Sequence, residues 1–319
     1  MQIEANSTGI YYFSEGMLVH TNFAGEEVWK RSAVIDATTF ALSDSMICTF
    51  GGSSAVVIGA NQEEYFTLTP SDFIIQDAIC GANTIAFLTQ SKKEDGGSAL
   101  RIFDLEGTEI QRTDTTNMQL LKYGLSGASD NLWILVLDTT GVEPISRISI
   151  SNPSQDKLTG IIEVSDQLIS DVFYYNADMF VAGGSNLLRY NTFNEKQSET
   201  LTYGLRCVDS LFTEQNAFFA FIPNNVYPGS STYTMRLITS PATQYSAQDT
   251  LLQLPQGIFS FAIGKDRLYC FSTQSIYSYK LTGEFDRQIP VKQNIDNVTR
   301  LTNTLVMITS GTDAYFMDL

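Results

Sequence analysis

Short apolar runs separated by polar turns recur from one end of the chain to the other. Each run spans 5 to 8 residues and is rich in Ile, Val, Phe, Tyr and Thr. No apolar stripe with the helical spacing i, i+3, i+4, i+7 is sustained along the sequence. Runs of this length between turn residues are typical of β-strands, so the pattern predicts an all-β protein. The two clearest groups of four strands are residues 74–81, 84–91, 99–105 and 109–115, and residues 257–264, 267–273, 275–281 and 285–291.

The predicted strands group into quartets with a regular period. The first strands of the quartets begin near Gln2, Thr38, Ile74, Leu120, Ile169, Cys207, Gly257 and Asn297. The intervals are 36, 36, 46, 49, 38, 50 and 40 residues, and they centre on the ~40–45 residues typical of a four-stranded propeller blade. The last quartet contains only three predicted strands. We therefore predict a single β-propeller domain over residues 1–319 with eight blades, and seven blades plus a partial one as the alternative.

A recurring hairpin gives a second marker of the same period. The segments FAGEEV, LEGTEI and LTGEF each place a glycine between two apolar positions, at Gly25, Gly107 and Gly283. Glycine reaches the positive φ angle that a tight hairpin with a bulge requires. These glycines are 82 and 176 residues apart, which is close to two and four repeat lengths.

The amino-acid composition of the chain excludes some classes of binding partner. The chain has 19 Lys and Arg against 35 Asp and Glu, a formal net charge of −16, and a hydrophobic content of 43% that supports a large core. This charge repels nucleic-acid phosphates and anionic membrane surfaces, so neither is an expected partner. No segment approaches the ~20 apolar residues that span a bilayer. The chain opens almost directly into strand-like sequence, and we expect an additional segment upstream of Met1.

Few residues suggest catalytic or metal chemistry. The one histidine, His20, lies in a predicted third strand and excludes mechanisms and metal sites that need two imidazoles. The four cysteines Cys48, Cys80, Cys207 and Cys270 lie inside apolar runs without CxxC spacing, and we interpret them as buried free thiols.

Several motifs indicate a family resemblance. Gly25 and Trp29 match the Gly-x-x-x-Trp ending that closes each blade of pyrroloquinoline-quinone-like propellers. Together with residues 25–29, the segments 100–110 and 126–133 make the chain similar to a Gram-positive bacterial family of unknown function. Members of that family carry an N-terminal transmembrane helix followed by a quinoprotein-like propeller. The resemblance implies blade geometry, a membrane anchor upstream and a propeller outside the cytoplasm. It implies no catalytic residues.

The sequence leaves two classes of function open. We expect a non-enzymatic binding or scaffold propeller, monomeric, that engages a protein or a cell-envelope component. The alternative is a carbohydrate-active enzyme that uses carboxylates at the channel mouth. Long connections over residues 92–98, 139–143, 223–232 and 241–250 are candidate functional loops, because loops carry function more often than the scaffold does.

An aspartate recurs near the start of the first strand in five repeats. The five candidates are Asp36, Asp77, Asp171, Asp209 and Asp296. First strands line the axis of a propeller, so equivalent aspartates would form a ring of carboxylates near one channel mouth. Such a ring would favour a cation, with Ca²⁺ the best candidate because it prefers oxygen ligands. Alternatively, each aspartate accepts backbone N–H groups in its own turn.

Overall fold

In a computed structural model, the chain is almost entirely β-strand. The structure describes residues 2–33, 37, 39–94, 96–126, 130–155, 157–175, 178–226 and 233–319. In this part of the chain the only helix is the 3-10 turn Pro153–Gln155. Within the same residues, no helix is long and apolar enough to cross a membrane.

The strands form eight consecutive antiparallel sheets, seven with four strands and the last with three. In every sheet, strands adjacent in sequence are also adjacent in the sheet. This up-and-down arrangement is that of propeller blades. The predicted fold class, an all-β propeller with eight blades, is confirmed, and the last blade has only three strands in the described residues. The chain divides into two compact units, Met1–Ser165 and Asp166–Leu319. A single domain over residues 1–319 stays a prediction.

The first unit contains sheets 1 to 4. Their strands are β1 (Ile3–Asn6), β2 (Gly9–Ser14), β3 (Met17–Thr21) and β4 (Glu27–Ser32); β5 (Thr39–Leu42), β6 (Met46–Phe50), β7 (Ala55–Gly59) and β8 (Glu64–Leu68); β9 (Phe73–Cys80), β10 (Ile85–Ser91), β11 (Ser98–Phe103) and β12 (Glu109–Asp114); and β13 (Gln119–Ser126), β14 (Asn131–Asp138), β15 (Ile145–Asn152) and β16 (Lys157–Val164).

The second unit contains sheets 5 to 8. Their strands are β17 (Ile169–Tyr175), β18 (Asp178–Gly183), β19 (Asn186–Tyr190) and β20 (Lys196–Leu201); β21 (Leu205–Phe212), β22 (Asn216–Pro223), β23 (Tyr233–Pro241) and β24 (Gln248–Leu254); β25 (Ile258–Ile263), β26 (Arg267–Ser272), β27 (Ser275–Lys280) and β28 (Phe285–Pro290); and β29 (Asn297–Arg300), β30 (Leu305–Ser310) and β31 (Asp313–Asp318).

Adjacent aromatic residues on one strand pack into different clusters. Phe218 and Phe219 are neighbours on β22 and both are buried. Phe218 packs with Leu268 of sheet 7, whereas Phe219 packs with Phe180 of sheet 5. Successive side chains of a strand point to opposite faces of its sheet. Both faces of sheet 6 are therefore buried against neighbouring sheets.

The glycine hairpins join the third and fourth strands of their sheets. Gly25, Gly107 and Gly283 have φ angles of 83°, 78° and 91°. In sheet 5, Asn194 occupies the same place with a φ of 62°. Asparagine tolerates this conformation better than most residues, so the hairpin forms without the glycine on which the sequence pattern depended.

Side chains in the turns between first and second strands link sheets of the first unit. The carboxylate of Asp130, in sheet 4, accepts hydrogen bonds from the backbone N–H groups of Ala82 and Asn83 in sheet 3, both at 2.6 Å. Asp44 accepts one from Ser7 in the same way, at 2.9 Å. Asp130 is 2% exposed, so these bonds satisfy a carboxylate that is itself shielded from water.

Candidate functional site

Three of the candidate aspartates share one structural position. In β9, β17 and β21 an extra residue interrupts the pairing with the second strand, and the aspartate follows it directly. These residues are Asp77, Asp171 and Asp209. A β-bulge changes the direction of the side chains around it, so these three aspartates share a similar local backbone environment. Lys122 and Ser260 hold the same position in β13 and β25, so this position is not uniformly acidic.

The other two candidates do not share this position. Asp296 precedes β29, and its carboxylate accepts the N–H of Gly311 at 2.6 Å. That bond caps the turn between β30 and β31, not the turn of Asp296 itself, so it differs from the turn-capping alternative. Asp36 lies outside the described residues. Among the described residues, no group of three or more His, Cys, Asp or Glu side chains is placed to hold a metal ion.

In the first unit, Asp77 belongs to a small acidic group on the first strands. The Tyr123 hydroxyl donates a hydrogen bond to Asp77 at 2.6 Å, and Asp77 also accepts the N–H of Ala78 at 2.9 Å. Burial, followed by the bond to Asp77, raises the pKa of Tyr123. Burial also raises the pKa of Glu4; the Gln2 amide opposes this rise and the charge of Asp77 adds to it. Burial makes the negative charge of this group energetically unfavourable, and the hydrogen bonds offset part of that free-energy cost.

In the second unit, Asp209 is fully engaged by protein groups. Arg300 donates to its two carboxylate oxygens at 3.0 and 2.6 Å, and the N–H of Ile263 donates at 2.6 Å. Burial raises the pKa of Asp209, although Arg300 and the backbone donors oppose the rise. This carboxylate ties together the first strands of sheets 6, 7 and 8 and is structural.

Two clefts flank the fourth strand of sheet 3, and sequence reasoning identified the loops beside them. Arg112 and Asp114 point to one face of β12 and line a cleft of about 260 Å³. Thr113 points to the other face and lines a cleft of about 360 Å³ toward sheet 4. The two clefts share the segment 112–119, which ends β12 and leads into β13. Two of the long loops, at residues 92–97 and 139–144, border them.

The two clefts differ in chemistry. The larger one is partly apolar: Ile134, Val136 and Met118, which is 43% exposed, line it beside polar residues that include Asp138 and Arg147. The smaller one is polar and includes Lys93, Arg101 and several hydroxyl groups. A surface that combines an apolar cleft with a polar one suits recognition of a partner with both kinds of group.

The other two long loops differ in how much of each the structure describes. The loop over 223–232 lies largely outside the described residues. The loop after β23 is fixed by Arg189, which is 2% exposed. Arg189 donates to the backbone carbonyls of Pro241, Ala242 and Gln244 at 2.8, 3.1 and 2.7 Å. This loop is therefore anchored to the scaffold. A buried arginine inside an apolar strand carries no sequence signal that reveals its partner.

A third cleft, in the second unit, lies beside the turns between first and second strands. It measures about 560 Å³ and has Leu211, Phe212 and Phe218 on its floor. Glu214 and Lys265 stand at its rim. Its mixture of groups does not favour one class of ligand.

His20 and the cysteines occupy structural positions. His20 is buried on β3, the third strand of its sheet, as predicted. Cys48, Cys80 and Cys270 are buried free thiols, and Cys207 is a free thiol that is only partly buried. Burial raises the pKa of the Cys80 and Cys270 thiols, which makes them inert at neutral pH.

Comparison with solved structures supports the propeller fold. BamB from Moraxella catarrhalis is similar with a TM-score of 0.56 and 10% identity, over 97% of this chain and 93% of that one. Apo AztD from Citrobacter koseri gives 0.53 and 12%, over 95% and 89%. The computationally designed Ika8 protein gives 0.54 and 10%, over 100% of both chains. At such identities the likeness concerns the fold alone.

Comparison of sequences places the chain in a family. No curated protein matches it. A family model covers residues 2–314, which include both compact units. The sequence resemblance to a family of unknown function with a quinoprotein-like propeller agrees with this match. The chain belongs to DUF5711, a family of unknown function.

Proposed function

We propose that this chain is a non-enzymatic binding propeller that engages a protein or cell-envelope partner outside the cytoplasm. Its binding surface consists of the segment 112–119, the loops 92–97 and 139–144, and the two clefts between them. We call this surface the paired-cleft surface. The observation that carries the proposal is the sharing of one segment by an apolar and a polar cleft.

The location on loops supports a binding role. The strands of sheets 3 and 4 fix the ends of both loops, while the loop residues themselves are free to vary. Met118 is exposed at the rim of the larger cleft, where it offers a flexible apolar contact. Burial of such a side chain at the centre of an interface is a common source of binding energy.

The state of the carboxylates argues for binding rather than catalysis. A glycosidase needs two carboxyl groups that face a substrate, one of them free to donate a proton. The carboxylate of Asp209 is held by Arg300 and that of Asp296 by a backbone N–H. Glu4 and Asp77 are the pair most suited to the alternative enzyme, because the pKa of Glu4 is raised.

Selection from a displayed random-peptide library, with a glycan array in parallel, tests the proposal. We expect the chain to enrich ligands whose binding is weakened at least about tenfold by Met118→Asp, equivalent to about 1.4 kcal/mol. Leu158→Asp is the matched control, since Leu158 is an exposed apolar residue of sheet 4 outside both clefts. Enrichment on the peptide or the glycan arm identifies the partner class.

Two results would overturn the proposal. One is binding that responds equally to Met118→Asp and Leu158→Asp, or no enrichment on either arm. The other is turnover of a glycoside that Glu4→Gln or Asp77→Asn abolishes while the fold is retained, which would favour the enzyme.

A further inference from the structure

We propose that the smaller cleft of the paired-cleft surface is a binding site for an oxyanion, a carboxylate or phosphoryl group, held by Arg112, Arg101 and Lys93. The inference rests on the proposed function, because it assigns a chemical class to the polar half of that surface. The cleft volume of about 260 Å³ suits a small charged group rather than a whole large ligand.

The strongest observation is a pair of arginines placed directly opposite each other. Arg101 on β11 pairs in register with Arg112 on β12, so both side chains leave the same face of sheet 3. Residues opposite each other in an antiparallel pair have Cβ atoms about 4.5–5.5 Å apart, and like charges there are destabilising. Glu109 already offsets the charge of Arg101, and an anion between the two guanidinium groups would reduce the remaining repulsion.

Arg101 is held in place before any ligand arrives. It is 9% exposed and lies over the Phe73 ring, with 4.2 Å between the guanidinium carbon and the ring centroid. Its Nη1 donates to Glu109 at 2.7 Å and its Nε donates to Thr89 at 3.3 Å. Arginine carries five N–H donors in a rigid fork, and Nη2 has no acceptor among the described residues. The side chain thus presents fixed, unused donors at the cleft.

The other walls supply further donors. Lys93 lies on the loop that closes the cleft, and the hydroxyl-bearing residues Ser91 and Ser98 line it. The loop approaches the sheet closely at Gly96 and Gly97. A Cβ at Gly96 would lie 2.0 Å from Oγ of Ser91, so only glycine allows this approach. Close backbone approach at glycine is a frequent feature of anion-binding loops.

Acidic residues match these cations in number, so anion binding depends on the direction of the donors rather than on net charge. Glu109 neutralises Arg101 from the side of Nη1. Asp114 lines the cleft, but its carboxylate accepts the N–H of Thr116 at 2.8 Å. The Thr116 hydroxyl and N–H, and then the charge of Arg112, lower the pKa of Asp114. Asp72 also lines the cleft, so these six side chains carry no net positive charge. We therefore expect weak affinity, with Kd near ~1 mM.

Titration with inorganic phosphate and with acetate, followed by ¹H–¹⁵N correlation spectra of the intact chain, tests the inference. We expect saturable shifts of the Gly96 and Gly97 amide signals with at least one anion. Saturable shifts with phosphate alone would identify a phosphoryl site. Saturable shifts with acetate alone would identify a carboxylate site. Glucose is the neutral reference and should cause no saturable shift.

A matched pair of variants makes the test specific. Arg112→Gln should weaken anion binding at least about fivefold, about 1 kcal/mol by the conversion of affinity to free energy. Arg287→Gln, on the fourth strand of sheet 7 and likewise exposed, should leave it unchanged. No saturable shift up to 20 mM (about 20-fold above the expected Kd), or equal binding by both variants, would overturn the inference.

The inference and the proposed function fail separately. Anion binding without any ligand sensitive to Met118→Asp would leave the oxyanion site standing and remove the partner-binding proposal. If Met118→Asp weakens ligand binding but the chain binds no anion, the partner-binding proposal stands and the oxyanion site is removed.

Discussion

Asp209 and Arg300 lie 91 residues apart in the sequence and form a two-point ion pair, at 3.0 Å from Nε to Oδ1 and 2.6 Å from Nη2 to Oδ2. The pair joins the first strands of sheets 6 and 8, and the N–H of Ile263 in sheet 7 donates to the same carboxylate. Both side chains are largely buried. The Asp209 carboxylate thus links three consecutive sheets of the second unit.

Breaking this pair should destabilise the protein more than removing it. Arg300→Met leaves a buried carboxylate without its cation, and we expect a loss of about 3–5 kcal/mol in the free energy of unfolding. The double variant Asp209→Leu with Arg300→Met should recover most of that loss, because no charge remains to be desolvated. Urea denaturation of both variants and the wild type measures this. Equal losses for the single and double variants would contradict it.

Asp130 should be more important for stability than its counterpart Asp44. Asp130→Ala removes the buried acceptor for three donors, the N–H groups of the exposed residues Ala82 and Asn83 and the hydroxyl of the buried Thr84. Buried donors without partners cost about 1–3 kcal/mol. Asp44→Ala removes one bond in an exposed turn, so we expect a loss below about 1 kcal/mol. Thermal unfolding of the two variants gives the comparison, and similar melting temperatures would show that burial of the carboxylate is irrelevant.

Alanine substitutions at two hairpin glycines distinguish the free-energy cost of backbone strain from that of a steric clash. Gly25 and Gly107 both have positive φ angles, but a Cβ at Gly25 meets nothing within 4 Å, whereas one at Gly107 lies 2.9 Å from Cγ of Phe66. Gly25→Ala should cost about 1–2 kcal/mol for the left-handed backbone. Gly107→Ala should cost this and at least about 1 kcal/mol more for the overpacked contact. Denaturation midpoints of the two variants test the difference; equal midpoints would mean that the Phe66 ring moves aside freely.

The sequence predicted the fold well because the repeat is encoded locally. The eight predicted strand starts lie within two residues of the observed ones. Apolar alternation and turn residues mark each strand independently of the rest of the chain. Asn194 shows the limit of this method: it forms the hairpin that glycine forms elsewhere, and a search for glycine misses it.

The candidate site was predicted only in part, since long-range contacts have no local signature. The aspartates Asp77, Asp171 and Asp209 do share one position, but the β-bulge that defines it also includes Lys122 and Ser260. In the sequence alone, a lysine or a serine gives no sign that it occupies the position that an aspartate occupies in other repeats. The loops over residues 92–98 and 139–143 contribute residues to the two clefts, and their functional role stays a prediction. The two arginines opposite each other in sheet 3 became visible only when the register of β11 and β12 was known.

The last prediction concerns His20 and pH. Its imidazole stacks on the Tyr11 ring, with 4.3 Å between centroids and 4° between planes, and burial lowers its pKa below the ordinary value of 6.5. The unfolded chain therefore binds the proton more readily than the folded chain does. The free energy of unfolding should be highest above pH 6.5, fall as the pH drops toward the folded pKa, and level off below it. Because His20 is the only histidine, His20→Phe should remove this dependence between about pH 5.5 and 7.5, where no other unperturbed side chain titrates. Urea denaturation across that range measures both proteins. An equal slope in the variant would assign the dependence to groups other than His20. The carboxyls of Glu4 and Asp209 are not among them, because their raised pKa values make stability change with pH in the opposite direction.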